Sequence, residues 1–166
     1  MSRFSNIKEA KNSGFSVLEI VVVLAALAIV AVVLGQLNVS FLGAVASGEL
    51  RLRANAIGAE TMEALKIIKA GAWSDLSGLS VNTPYYLIYS TLANKWSVSA
   101  SDPGKIDGIF SRSFTVNPVN RDNITGQIVF LGGSPDSKTL LVETNVDWVN
   151  KSANKNLKLT TYLTNF

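Results

Sequence analysis

The chain has 166 residues, a formal net charge of +3, and neither cysteine nor histidine. Those absences exclude disulfides and thiol nucleophiles and remove the commonest general base, so no enzyme, cofactor or soft-metal site is expected. Once a short leader and one apolar run are set aside, about 130 residues remain, enough for a single domain.

The leader carries Arg3, Lys8 and Lys11 against one acid, Glu9. From Phe15 to Leu34 the only polar side chains are Ser16 and Glu19, and about 20 apolar residues are what a helix needs to cross a bilayer core. The basic leader predicts that the N-terminus stays cytoplasmic and the rest of the chain faces outward. Glu19 is hard to explain in a plain anchor, because an ionised carboxylate in hydrocarbon costs about 3 kcal/mol even on lenient insertion scales. It needs a cationic partner, and the run contains none. Cleavage after Gly14 would create one, the α-amino group of Phe15, with a reference pKa of about 8. Glu19 is four residues along, about one helical turn away, and would pair with its own amine or with that of a neighbouring, axially offset helix.

The stretch Gly14-Phe15-Ser16-Val17-Leu18-Glu19, followed by the apolar run, resembles the processing site of type IV pilins and of the pseudopilins of type II secretion. The resemblance implies that a prepilin peptidase cuts between Gly14 and Phe15 and methylates the Phe15 amine, and that Glu19 is the assembly charge. Its implied partners are the peptidase, other pilin or pseudopilin subunits, an inner-membrane assembly platform and, before assembly, membrane lipid. Many major type IV pilins close their C-terminal region with a disulfide, which this chain cannot, so a minor subunit is expected. Two other readings compete. One is an ordinary membrane anchor carrying an outward-facing binding module that does not polymerise. The other is a secreted domain released at the small-x-small site Ala44-Val45-Ala46-Ser47.

Removal of the leader leaves 12 basic against 11 acidic residues, a net charge of +1, and gives no electrostatic case for a direct nucleic-acid site. Past the apolar run, Gly35, Gly43 and Gly48 loosen the helical pattern, since glycine costs about 1 kcal/mol relative to alanine in a helix interior. Gly35 is therefore either a point where a long helix bends or unwinds, or a tolerated glycine near a membrane boundary. From Glu49 to Ala70 the pattern is amphipathic, with Leu50, Ala54, Ile57, Leu65 and Ile68 on one face, and Gly71 is a plausible stop. A helix from Phe15 to Ala70 would be roughly 84 Å long, as in the stem of the pilin fold.

The period then changes to alternation. Leu140, Val142, Val146 and Trp148 share one strand face, Glu143, Asn145 and Asp147 the other, and Leu157, Leu159 and Leu163 repeat the pattern. Weaker strand signals fall at Pro84 to Thr91, Lys95 to Ser99, Ile109 to Asn117 and Thr125 to Leu131, separated by turn clusters at Asp102-Pro103-Gly104 and Gly132-Gly133-Ser134-Pro135-Asp136. The expected fold is α+β: a long N-terminal helix packed on a C-terminal antiparallel sheet. The expected divisions are a leader at 1–14, a transmembrane half-helix at 15–37, an amphipathic half-helix at 38–71 and an outward head at 72–166. The tail, with Val142, Val146 and Trp148, a polar turn from Asn150 to Asn156 and a strand from Leu157 to Phe166, resembles the end of V-type minor pilins and I-type minor pseudopilins. Asp102, Asp107, Asp122 and Asp136 fall in turn-like stretches that suit local backbone hydrogen bonding, and show no calcium-loop spacing. Trp73, Tyr85, Tyr86, Tyr89 and Trp96 are read as core and strand residues in preference to an adhesive surface.

Overall fold

The structure, a computed structural model, describes residues 16–166. The chain divides into two compact units, Met1–Val45 and Ala46–Phe166. Its first element is the helix α1 (Val17–Gly71). Ser16 caps it, its Oγ accepting the Leu18 N–H at 3.3 Å, which satisfies one of the amides that a helix start leaves open. The helix stays α-helical through Gly35, Gly43 and Gly48, so its hydrogen-bonded path is not interrupted at any of the three. A Cβ at Gly35 or Gly48 would meet nothing within 4 Å. These glycines serve no close approach, and the good helix formers around them carry the intrahelical hydrogen bonds across. At the other end the helix runs one residue past Ala70, and the Ala72 N–H still bonds the Ile68 carbonyl at 2.9 Å. A short helix, α2 (Ser74–Ser77), follows and buries Leu76.

In the second unit, α1 packs on antiparallel sheet, giving the α+β layout expected from the change of period. The strands are β1 (Tyr86–Ser90), β2 (Lys95–Ser99), β3 (Ser111–Arg121), β4 (Ile128–Val129), β5 (Ser134–Asn150) and β6 (Ala153–Thr164). β1 and β2 form a separate hairpin, and the main sheet has the order β4-β3-β5-β6. Strand alternation puts Val142, Thr144, Val146 and Trp148 on the buried face of β5, opposite the α1 stripe Ala54, Ile57, Gly58, Thr61, Ala64, Leu65 and Ile68. Two apolar clusters result. One gathers Leu65, Ile68, Leu76, Leu87, Phe114, Val116, Val142 and Leu163. The other gathers Ala54, Ile57, Phe110, Val146 and Trp148.

Gly58 permits the close fit of helix and sheet, since a Cβ there would stand 2.6 Å from Leu159 Cδ1. Polar ties hold the β5–β6 hairpin along the helix: Asn150 Nδ2 of β5 donates to Ser47 Oγ at 2.9 Å at the turn end, and Lys69 Nζ donates to the carbonyl of Thr164 of β6 at 2.9 Å at the far end. Between them, Arg112 of β3 pairs with Glu60 at 3.1 Å while its guanidinium lies 5.4 Å from the Trp96 ring, fastening the β1–β2 hairpin to the helix.

Several boundaries differ from those expected. The turn cluster at 132–136 is partly extended: Ser134 to Asp136 pair with Arg121 to Val119, and Asp136 belongs to β5. The register shift after Pro118 leaves Ser137 to Thr139 looped out of the β3 ladder, which fits a proline that cannot donate to it. The expected strand over Thr125 to Leu131 shrinks to Ile128–Val129, leaving Ile124, Phe130 and Leu131 almost fully exposed.

The polar turn expected over Asn150 to Asn156 is only Lys151-Ser152, with Asn150 paired directly to Ala153. Both turn residues have positive φ, 48° and 66°, the geometry of a two-residue turn that favours Asn-Gly. Neither lysine nor serine announces it, and each is strained there by about 1 kcal/mol or somewhat more. The double substitution Lys151→Asn/Ser152→Gly is therefore expected to stabilise the head by about 1 to 2 kcal/mol, read as a raised thermal midpoint of the full chain in detergent. An unchanged or lowered midpoint would show that the turn is not strained.

Candidate functional site

Every described residue from Ser16 to Leu42 is solvent-exposed, although this is the most apolar part of the chain, and none of its most apolar 18-residue window is buried. A surface patch of that size and composition needs lipid or protein around it. It is long and apolar enough to cross a bilayer. Glu19 is the only ionisable side chain between Val17 and Gly48, and no cation pairs with it among the described residues.

Glu19 has a second feature that the sequence reading missed. Ser16-Val17-Leu18-Glu19 has the Ser-x-x-Glu spacing of a capping box, which the Ser16 cap now makes visible. A carboxylate in the first turn also suits the positive end of the helix dipole. These local effects explain an acid at that position in water. They would not offset burial in hydrocarbon, because the dipole contributes about 1 kcal/mol against the larger cost of the ion.

Gly14 and Phe15, the expected cleavage and methylation positions, lie outside the described residues. Gly35 sits within the exposed helix. The small-x-small site Ala44-Val45-Ala46-Ser47 also lies inside α1.

The head holds no group of three or more His, Cys, Asp or Glu side chains able to hold a metal among the described residues. Its aspartates serve the backbone and a brace. Asp102 Oδ1 accepts the Gly104 N–H at 2.8 Å. Asp122 Oδ1 accepts from the Thr125 amide, the Thr125 hydroxyl and the Ile124 amide, bonds that hold its carboxyl below the usual range. Asp136 Oδ2 accepts from Arg121 Nε at 2.6 Å, while Arg121 also donates to the Gly126 carbonyl and to Thr139 Oγ1. One guanidinium thus joins the end of β3, the loop to β4 and the looped-out segment of β5. Gly133 closes the same corner: with φ at +73°, a Cβ there would stand 2.3 Å from the Arg121 carbonyl oxygen.

The aromatic residues divide. Trp73, Tyr85 and Trp96 pack against the first core cluster, as expected, whereas Tyr89 is exposed and meets Trp96 at a 55° tilt with ring centroids 5.1 Å apart.

No protein-family model, curated protein or solved structure matches this chain.

The brace makes stability depend on pH in a definite direction. Thr139 and Arg121 hold the Asp136 carboxyl at about 2, below its ordinary 3.8. The stability this adds is complete above about pH 4 and is lost as the pH falls from there through the folded value. Asp136→Asn should lower stability at pH 7 and flatten the pH dependence between 4 and 2. Denaturant unfolding across that range measures both, and identical slopes for the two proteins would remove Asp136 as the cause.

Proposed function

We propose that this protein is a non-enzymatic structural subunit, a minor pilin or pseudopilin, of a type IV pilus or a type II secretion-like filament. It is inserted in the cytoplasmic membrane with its N-terminus inside, trimmed between Gly14 and Phe15, methylated on Phe15 and assembled through α1 by a prepilin-type machine. The observation that carries this reading is Glu19, a carboxylate with no cationic partner among the described residues, in a stretch of α1 that is otherwise uncharged and is exposed from Ser16 to Leu42. Lipid can cover the apolar surface but cannot neutralise the charge. A neighbouring copy of the same helix meets both needs, its side chains covering the stripe and its Phe15 amine facing Glu19.

In this mechanism apolar packing supplies attraction without direction, and the charge pair supplies register. A subunit seated out of register leaves the carboxylate buried and unpaired, at a cost of about 3 to 5 kcal/mol. The exposed helix equally supports a plain anchor for an outward binding module that does not polymerise. That alternative gives Glu19 no partner and leaves the leader uncut.

The intact mass and N-terminal residue of the protein from its native membrane separate the two: a chain beginning at N-methylated Phe15 is expected, and a retained leader would sink the filament reading. A start at Ser47 would mean a secreted domain. Glu19→Gln tests the charge separately, because glutamine keeps the Ser-x-x-Glu/Gln spacing of a capping box but cannot form an ion pair with an ammonium group. The variant should insert and be cleaved normally while its recovery in sheared filaments falls at least tenfold; normal recovery would show that the capping role suffices.

A further inference from the structure

We infer that the groove between α1 and the β5–β6 hairpin binds the phosphate of an anionic lipid headgroup, an inference that rests on the membrane-anchored reading above. The groove has a volume of about 310 Å³ and is walled by Trp148 and Leu157. Arg51 and Lys155 bring two positive charges to it, and Asn150 and Asn156 bring amides. Its wall is tied by the Asn150 bond to Ser47. No carboxylate lines it among the described residues. Two acids close in sequence to its lining residues are already engaged: Glu49 pairs with Arg53 at 2.9 Å, and Asp147 accepts from Asn156 Nδ2 at 2.7 Å. Arg51 has no ion-pair partner among the described residues.

The independent sign of a ligand is Trp148. The residue is only 7% exposed, and its Nε1 is buried with no hydrogen-bond partner among the described residues. A buried indole N–H ordinarily finds an acceptor, and leaving it without one is unfavourable. Trp148 borders this groove and a second cavity of about 300 Å³, lined by Lys105 and Asp147 among others, and Lys155 lines both. Because Nε1 is enclosed, an incoming acceptor reaches it by displacing part of the groove wall, which Trp148 shares with the exposed Lys155. A ligand that offers acceptors to one indole N–H, a forked guanidinium and an ammonium group fits a phosphate.

Position selects the source of that phosphate. Ser47 and Arg51 follow directly in the chain on the exposed apolar run, whose last large members, Phe41, Leu42 and Val45, are each more than half exposed. Arg51 follows that run in the same helix, and basic side chains just past a membrane-length run attract acidic lipid headgroups.

The test uses the full chain reconstituted in nanodiscs of phosphatidylcholine, with or without phosphatidylglycerol, and follows the indole ¹⁵N–¹H resonances of its three tryptophans. Trp148→Phe assigns the Trp148 signal. That signal should shift progressively with phosphatidylglycerol content and not with inorganic phosphate added to phosphatidylcholine discs. Arg51→Gln/Lys155→Gln should abolish the shift, while Lys66→Gln, remote from the groove, should keep it. No shift in acidic discs would overturn the site, and an equal response to inorganic phosphate would overturn the lipid assignment. Failure to enter discs of either composition would overturn the anchor reading on which the inference rests.

Discussion

The burial of one α1 stripe against the inner face of β3, β5 and β6 is the interaction on which the head depends. Without the helix, Phe114, Val116, Val142, Val146 and Leu163 would form an exposed apolar face. Without the sheet, Ala54, Ile57, Leu65 and Ile68 would stand in water. Each of these large side chains contributes about 1.5 to 3 kcal/mol when fully buried, far more than any exposed ion pair on the surface. Gly58 sets how near the two layers come, and the ties at Ser47, Glu60 and Lys69 choose how the strands lie along the helix. Small residues at Ala54, Gly58 and Ala64 let the bulky residues of the sheet fill the interface.

The same hydrophobic effect acts on residues 16–42 with no counterpart in the described protein. The contrast between the two stretches of α1 carries the functional reading. In the second stretch, the charges lie outside the buried stripe, and Ala54, Ile57, Leu65 and Ile68 form the inner face while Leu52 and Ile67 stay exposed. In the first the only charged side chain is Glu19, and from Val17 to Leu34 it is the only polar one. A helix apolar all round must be surrounded, and a lone carboxylate on it calls for a partner of opposite charge. By comparison, the charged groups of the head are largely engaged in structure: Arg112 fastens a hairpin, Arg121 and Asp136 close a corner, and Lys158 pairs with Glu143 across the outer face of the sheet. The groove beside Trp148 departs from this pattern, for among the described residues two cations and no carboxylate line it, and the buried indole N–H has no acceptor.

Much of this was legible in the chain itself. A period near 3.6 through Glu49 to Ala70 and a period of two through Leu140 to Trp148 and Leu157 to Leu163 determined the helix, the two long strands and their buried faces, because each period follows from backbone geometry and holds whatever the partner. β2 emerged with the boundaries its pattern implied. The membrane-length run and its single acid were also sequence properties, since length and hydropathy alone decide them.

Only the tertiary structure decided the rest, where long-range contacts override local preference. The glycines at 35, 43 and 48 read as weak points, yet the helix passes through them. Lys151-Ser152 turns tightly although its residues disfavour that geometry, because the ladder between β5 and β6 dictates it. Ser134 to Asp136 read as a turn and became strand once β3 lay alongside. Thr61 and Thr144 carry no apolar signal and are fully buried, the Thr61 hydroxyl satisfied by the Ile57 carbonyl at 2.8 Å. Trp148 was visible as a core residue, but the missing partner of its indole N–H was not. A sequence states which groups a chain has to bury, and only their arrangement in space determines which polar atoms find each other when it does.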